Sequence, residues 1–472
     1  MKLSKMALAA AISCAVYAGT ATAQGLRQPA SVHQTNYTHS YYAQDGQPSP
    51  SDLPPTTEPE PALTGDFGCD TGCDTACDTC GPVHEDCPQW YLFNQDNCHN
   101  VSVRGWLNGG YFTNSRNTNS RYNGPVTFAD RRDGQINQVY GIIEKAIDTS
   151  DYCWDVGGRL DLLYGTDWIY NYQTGWEASP SGDPLDGWNS NPYYGLVTPQ
   201  AYVEAGYGDL SIKAGRFYTI LGYEVVTAPD NFFATHAYTM QYGEPFTHTG
   251  LLGTWDYNDN WTFVGGIVNG WNRFYGSNNA GIYDRVAGIG GAVYTPDHGR
   301  YSIALTGITG SEPDSTVYAS TTRSMYSLVF NWNVTDRLTY VIQHDNAWQD
   351  AVTQNAQTGE LHDAEWYGVN QYLFYTINDC WKAGARAEWF RDDDGFRVHG
   401  IRPTSGTDTG NPTGYNAGNY WEVSLGLNWT PHSNLIVRPE VRYDWFDGQG
   451  NPFGDGQDKS QWVGGFDAIV LW

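Results

Sequence analysis

The sequence predicts an all-β fold, an antiparallel transmembrane β-barrel of about 16 strands with long external loops and short periplasmic turns. Three observations predict it. Apolar and polar residues alternate in successive runs from Val101 to Trp472, tight turn signals recur after every second run, and tryptophans stand beside those turns. No stretch beyond the N-terminus supplies the roughly 20 apolar residues that a membrane helix needs, and the mean hydropathy is −0.51. Any crossing of a membrane therefore falls to strands.

The first element is a secretory signal over residues 1–23. Lys2 and Lys5 precede an apolar run from Met6 to Ala18, and Ala21-Thr22-Ala23 gives a small-residue cleavage site before Gln24. Residues 24–88 follow as a Pro/Thr- and Cys-rich periplasmic linker. The stretch Leu53-Pro54-Pro55-Thr56-Thr57-Glu58-Pro59-Glu60-Pro61 typifies it, with too little apolar surface to offset its chain entropy. Its cysteines, Cys69, Cys73, Cys77, Cys80 and Cys87, with Cys98 beyond, suit disulfides better than zinc in an oxidising compartment.

The barrel occupies residues 89–472. Its tight turns are expected at Thr149-Ser150-Asp151, Gly208-Asp209, Asn258-Asp259, Asp297-His298-Gly299, Thr335-Asp336, Asn378-Asp379 and His432-Ser433, residue types that accept turn dihedrals or bond their own backbone. Two runs and one longer polar connection lie between consecutive turns, which is a repeated hairpin with short connections at one end only. In Trp421-Glu422-Val423-Ser424-Leu425-Gly426-Leu427-Asn428-Trp429 the odd positions are apolar and the even ones polar or small. A soluble sandwich alternates too. The membrane is favoured by Trp154, Trp261, Trp381, Trp429 and Trp472 at strand ends, where an aromatic girdle belongs.

The segments Gly105-Trp106-Leu107-Asn108-Gly109-Gly110-Tyr111, Gly215-Arg216-Phe217-Tyr218-Thr219-Ile220-Leu221-Gly222-Tyr223-Glu224, Thr227-Ala228-Pro229-Asp230-Asn231-Phe232-Phe233 and Gly243-Glu244-Pro245-Phe246-Thr247-His248-Thr249-Gly250 carry a family resemblance. On these the chain resembles putative beta-barrel porin-2, a group of outer-membrane barrels, over about residues 90 to 472. The resemblance implies a porin-like barrel and brings no catalytic motif or defined substrate. Ala468-Ile469-Val470-Leu471-Trp472 resembles the aromatic-ended last strand that barrel-assembly machinery recognises.

Alternation turns Arg104, Arg159, Arg386, Arg438 and Arg442 inward, with Glu388 and Glu440 among the acids that share their face. An arginine facing lipid at mid-depth would cost about 2 to 4 kcal/mol, so these side chains are expected to line the lumen, either setting a transverse field or bridging one another. The connection from Ile220 to Phe246 follows the fifth strand. In the general sixteen-stranded porins, which this arrangement resembles, that loop folds inward and narrows the pore. Glu224, Asp230 and Glu244 would then stand at the constriction, with a helix starting at Pro229-Asp230-Asn231 and Phe232, Phe233, Ala237 and Met240 packed on the wall. An external loop with exposed acids is the competing reading.

The formal net charge of −27 argues against nucleic acid. There is no phosphate loop, nucleophile elbow or His-Glu-x-x-His, and the acidic stretches Asp392-Asp393-Asp394-Gly395 and Asp447 to Asp458 depart from the calcium-loop pattern. No cofactor, metal or catalytic residue is expected. The expectation is a passive porin for small hydrophilic solutes or ions in the outer membrane, in contact with its lipid and with a homo-trimer left open. The alternative is a cell-surface adhesin or glycan-binding barrel, served by aromatic loops such as Trp168-Ile169-Tyr170-Asn171-Tyr172.

Overall fold

A computed structural model describes residues 90–93 and most of 100–472, the exceptions being 117–122, 127–131, 150–152, 180–182, 275–285, 315–318, 355–359 and 399–415. The expected signal, the linker and its cysteine cluster lie outside the described residues.

The strands are β1 (Val101–Asn114), β2 (Gly134–Lys145), β3 (Trp154–Gly165), β4 in two pieces (Gly195–Val197 and Ala201–Tyr207), β5 (Leu210–Tyr218), β6 (Thr247–Asn258), β7 (Trp261–Val268) and β8 (Ala287–Tyr294). They continue as β9 (Tyr301–Asp314), β10 (Ala319–Thr335), β11 (Leu338–Gln354), β12 (Leu361–Asn378), β13 (Trp381–Asp392), β14 (Gly418–His432), β15 (Leu435–Gly448) and β16 (Ser460–Leu471). Both pieces of β4 pair with β3, so they fill one place in the wall. The sheet is antiparallel throughout. It closes because β1 pairs with β2 on one side and β16 on the other, giving a 16-strand barrel.

The expected tight turns from Gly208-Asp209 to His432-Ser433 each join consecutive strands, while the one at Thr149-Ser150-Asp151 lies mostly outside the described residues. At Gly208 the backbone takes φ +55°, where a glycine is unstrained. By the antiparallel order these turns lie at one rim of the barrel.

The wall is two-faced for the reason the alternation gives. On β14, Val423, Leu425, Leu427 and Trp429 are exposed on the outer face, while Tyr420, Glu422, Ser424 and Asn428 are buried inside. Outward aromatics form two rings. Trp381 stacks on Trp429 at the short-turn rim, with ring centroids 5.8 Å apart. Near the opposite rim Trp421 stacks on Trp445, and Tyr443 packs on both Trp445 and Trp462. Eight residues separate Trp421 from Trp429, about 26 Å along a strand, which after tilting suits the apolar band of a bilayer barrel.

Candidate pore constriction

The segment after β5, residues 219–246, runs inside the barrel. Its atoms bond inward side chains of β2, β11, β12, β13 and β15, a set of strands that one segment can reach only from the interior. Gln138 of β2 donates to Val226 O at 2.6 Å and accepts from Ala228 N. Gln343 of β11 accepts from Tyr223 N and donates to Glu244 at 2.6 Å. Trp366 of β12 donates its indole N–H to Gly243 O.

The expected helix from Pro229 does not continue. A single 3-10 turn, Ala228–Asp230, ends at Asn231, and only a π-helical turn follows at Thr239–Gly243. Asn231 folds its amide back onto Val225 and Thr227. Beyond it, the backbone N–H groups that would have closed helical turns go to carboxylates, two of the wall and one of the segment itself. Glu440 accepts from Ala234 N and Thr235 N, Glu224 from Ala237 N, and Glu388 from Tyr238 N and Thr239 N. A buried carboxylate is a stronger acceptor for an amide than another amide carbonyl, so it displaces the helix.

Arginines take the loop's carbonyls in the same way. Arg386 donates to Thr235 O and to Glu224, both at 2.7 Å, and to Glu422 at 2.5 Å. Arg438 holds Ala228 O and Asn231 O while pairing with Asp467, and Arg442 holds His236 O while pairing with Asp444. Apolar contacts complete the seat. Phe232 and Phe233 pack with Tyr372 and Phe374, over the cross-strand glycine pair Gly384 and Gly426. A Cβ on Gly384 would come within 2.4 Å of the Phe232 ring. Ala237 and Met240 are also buried.

Arg386, Arg438, Arg442, Glu388 and Glu440 thus face inward as alternation requires, but the loop covers them. They are buried anchors rather than water-facing lining, the arginines pairing with Glu224, Glu422, Asp467 and Asp444 beneath the loop. Arg104 and Arg159 lie apart from them. Arg104 pairs with Glu144, and Arg159 pairs with Asp161 at 2.7 Å and reaches Glu144 at 3.5 Å. Arg104 retains the more open side chain, 36% exposed.

The three loop acids separate in the same manner. Burial alone would raise the Glu224 carboxyl, but Arg386 and then His236 outweigh it and hold it at about 2. The His236 ring, 2.8 Å from that carboxylate, is kept below its ordinary value by burial against the pull of Glu224. Among the described residues, Glu244 has no cation paired with it. Burial, and then the neighbouring Asp345, push it well above the carboxylate range. Asp230 alone of the three is half-buried, accepting a bond from Thr227.

Sequence reasoning missed Gln138, Gln343, Tyr372, Glu422 and Asp467. Their inward phase was available from the alternation; their partners were not. The connection after β3 also departs from expectation. Trp168, Ile169, Tyr170 and Asn171 are buried, with Tyr170 edge-on to Phe246, so this aromatic run is not offered to a glycan. No disulfide joins Cys153 to Cys380; they stand just before β3 and β13, which are not neighbours in the wall.

Residues 100–472 match the family described as Putative beta-barrel porin-2, OmpL-like. The chain belongs to that family. Its fold is similar to that of the outer membrane channel DcaP of Acinetobacter baumannii, at 12% identity and a TM-score of 0.51, with 79% of this chain and 97% of that chain covered. An anion-selective porin from Comamonas acidovorans gives 8% identity and a TM-score of 0.52, covering 79% and 99%. In-vitro folded OmpT of Vibrio cholerae, in its trimer form, gives 12% and 0.50, covering 79% and 99%. At these identities the likeness is one of fold. No curated protein matches the chain. Family and fold together make the porin an outer-membrane barrel of the channel type.

Proposed function

We propose that this porin passes small hydrophilic solutes or ions down their gradient, through a lumen narrowed by residues 219–246. The observation that carries the reading is that loop, fixed inside the barrel by buried bonds to β2, β11, β12, β13 and β15 rather than left outside it. Asp230 is the constriction acid left within reach of water, because Glu224 is neutralised by Arg386 and Glu244 is sealed against Gln343. Residues 1–23 leave as a signal and 24–88 stay in the periplasm. A homo-trimer is the assembly we favour, supported by the trimer form of OmpT, whose fold is similar. No catalysis enters this reading.

The test is single-channel conductance in planar bilayers under a salt gradient, with Asp230→Asn beside the parent. Stepwise conductance whose cation preference falls in the variant is the expected result. Conductance indifferent to Asp230 would leave a pore but remove this acid from its narrowest part. A heat-modifiable, strand-rich preparation that never conducts would overturn the reading.

A further inference from the structure

Above the constriction, on the long-loop side, a second charged group adjoins the network that seats the loop. Trp271, in the connection after β7, carries two guanidiniums. The Arg323 carbon lies 5.0 Å from its ring centroid and that of Arg397 lies 5.6 Å away. Arg397 also lies 5.0 Å from the Trp366 ring, and the two indoles meet edge-on at 6.2 Å.

The placement of Arg397 is built. Asp392, the last residue of β13, accepts the backbone N–H groups of Phe396, Arg397 and Val398 at 2.7–2.9 Å, which folds the chain back through Gly395 at φ +66°. Arg397 Nε then donates to Tyr242 O, at the end of the constriction segment. Arg323 is held through Nε by Gln349 at 2.7 Å. The acids nearby are committed: Asp392 to those three amides, and Glu312 to Trp271 N and Arg273. No carboxylate among the described residues lies within ion-pair distance of Arg397. Burial and the like charge of Arg323 bring its pKa down to about 9, a direction that a bound anion would reverse.

Two cations held together, partly desolvated and without a carboxylate on one of them, are repulsive until an anion joins them. The guanidinium fork matches a carboxylate in its own plane, and the buried indoles beneath the forks lower the local polarity, which favours a weakly hydrated organic anion over a strongly hydrated inorganic one. We infer that Arg397, Arg323, Trp271 and Trp366 form a binding site for a small organic carboxylate in the outer vestibule. It deepens the porin reading by naming a solute class that would collect directly above the constriction.

The test is equilibrium binding, so it does not depend on conduction. 4-Fluorobenzoate is titrated into the full mature protein folded in detergent, and its 19F linewidth is followed. Saturable broadening is expected for the parent, with affinity lowered about tenfold or more in Arg397→Gln, as loss of a charge-assisted bond implies. Arg391→Gln, which removes the same charge from the Asp393 pair on the outer surface, is expected to bind as the parent does. Trp271→Leu tests the indole independently, in a protein whose folding is checked by its heat-modifiable migration. Broadening by uncharged 4-fluorobenzamide to the same degree, equal binding by Arg397→Gln, or equal loss in Arg391→Gln would each overturn the proposal. Binding without conductance would sink the pore reading and leave this site standing.

Discussion

Arg386 meets Glu224, Glu422 and the Thr235 carbonyl through one guanidinium, with its side chain fully buried. Arg386→Met keeps the volume but leaves Glu224 without its guanidinium and Glu422 with only Arg442, 3.9 Å away, a defect of about 3–5 kcal/mol when one partner of a buried pair is lost. The wall does not depend on that pair, since the strands retain their ladders. The expected outcome is a barrel that still forms and still shifts on boiling, with single-channel current larger and noisier than the parent's because the loop is unseated. Unchanged current would mean that the remaining anchors suffice. Which arginine meets which acid was beyond the sequence. A period of two states the side on which a residue lies, and a pairing also depends on strand neighbours and stagger, which appear only once the seam between β1 and β16 is closed.

At the scale of the loop, its titrating groups act in opposite senses. Glu224 is depressed from 4.5 to about 2, so its contribution is present above 4.5 and is lost as pH falls toward 2. His236, also depressed, loses its contribution as pH falls from its ordinary 6.5. Glu244 is raised, so its contribution is full at low pH and fades as pH rises through its shifted value. Glu244→Gln keeps a hydrogen-bonding partner for Gln343 and removes that titration. Hydrogen exchange of the 234–239 amides should then show a seat that loosens on the alkaline side in the parent and stays flat in the variant. The loop's position after the fifth strand and its inward Phe232 and Phe233 were readable. The fate of the Pro229 helix was not, because local signals at Pro229-Asp230-Asn231 do not record that Glu440 and Glu388 compete for the amides beyond them.

The whole molecule is set by a simpler rule, and here the sequence was most informative. Seven turn signals, the period-two faces and the end tryptophans require no knowledge of partners, and they suffice for sixteen strands. The rule is testable where it is strictest. Leu425 lies mid-strand on the outer face and is 55% exposed. Leu425→Arg should therefore lower stability in lipid vesicles by about 2 to 4 kcal/mol, read from urea unfolding. The same substitution in a soluble protein, at so open a position, would be nearly silent. The seating of the loop also constrains how the molecule is made. Residues 219–246 leave the ribosome early, yet their acceptors and donors on β13 and β15 lie some 150 to 210 positions later: Tyr238 waits for Glu388, and Ala228 for Arg438. Contacts so distant in sequence form late. The interior is thus fully furnished only after the C-terminal third has arrived, so a barrel stalled before β13 would hold its inner segment without the Arg386, Glu388, Arg438 and Glu440 anchors, more open to the proteases of the compartment it crosses.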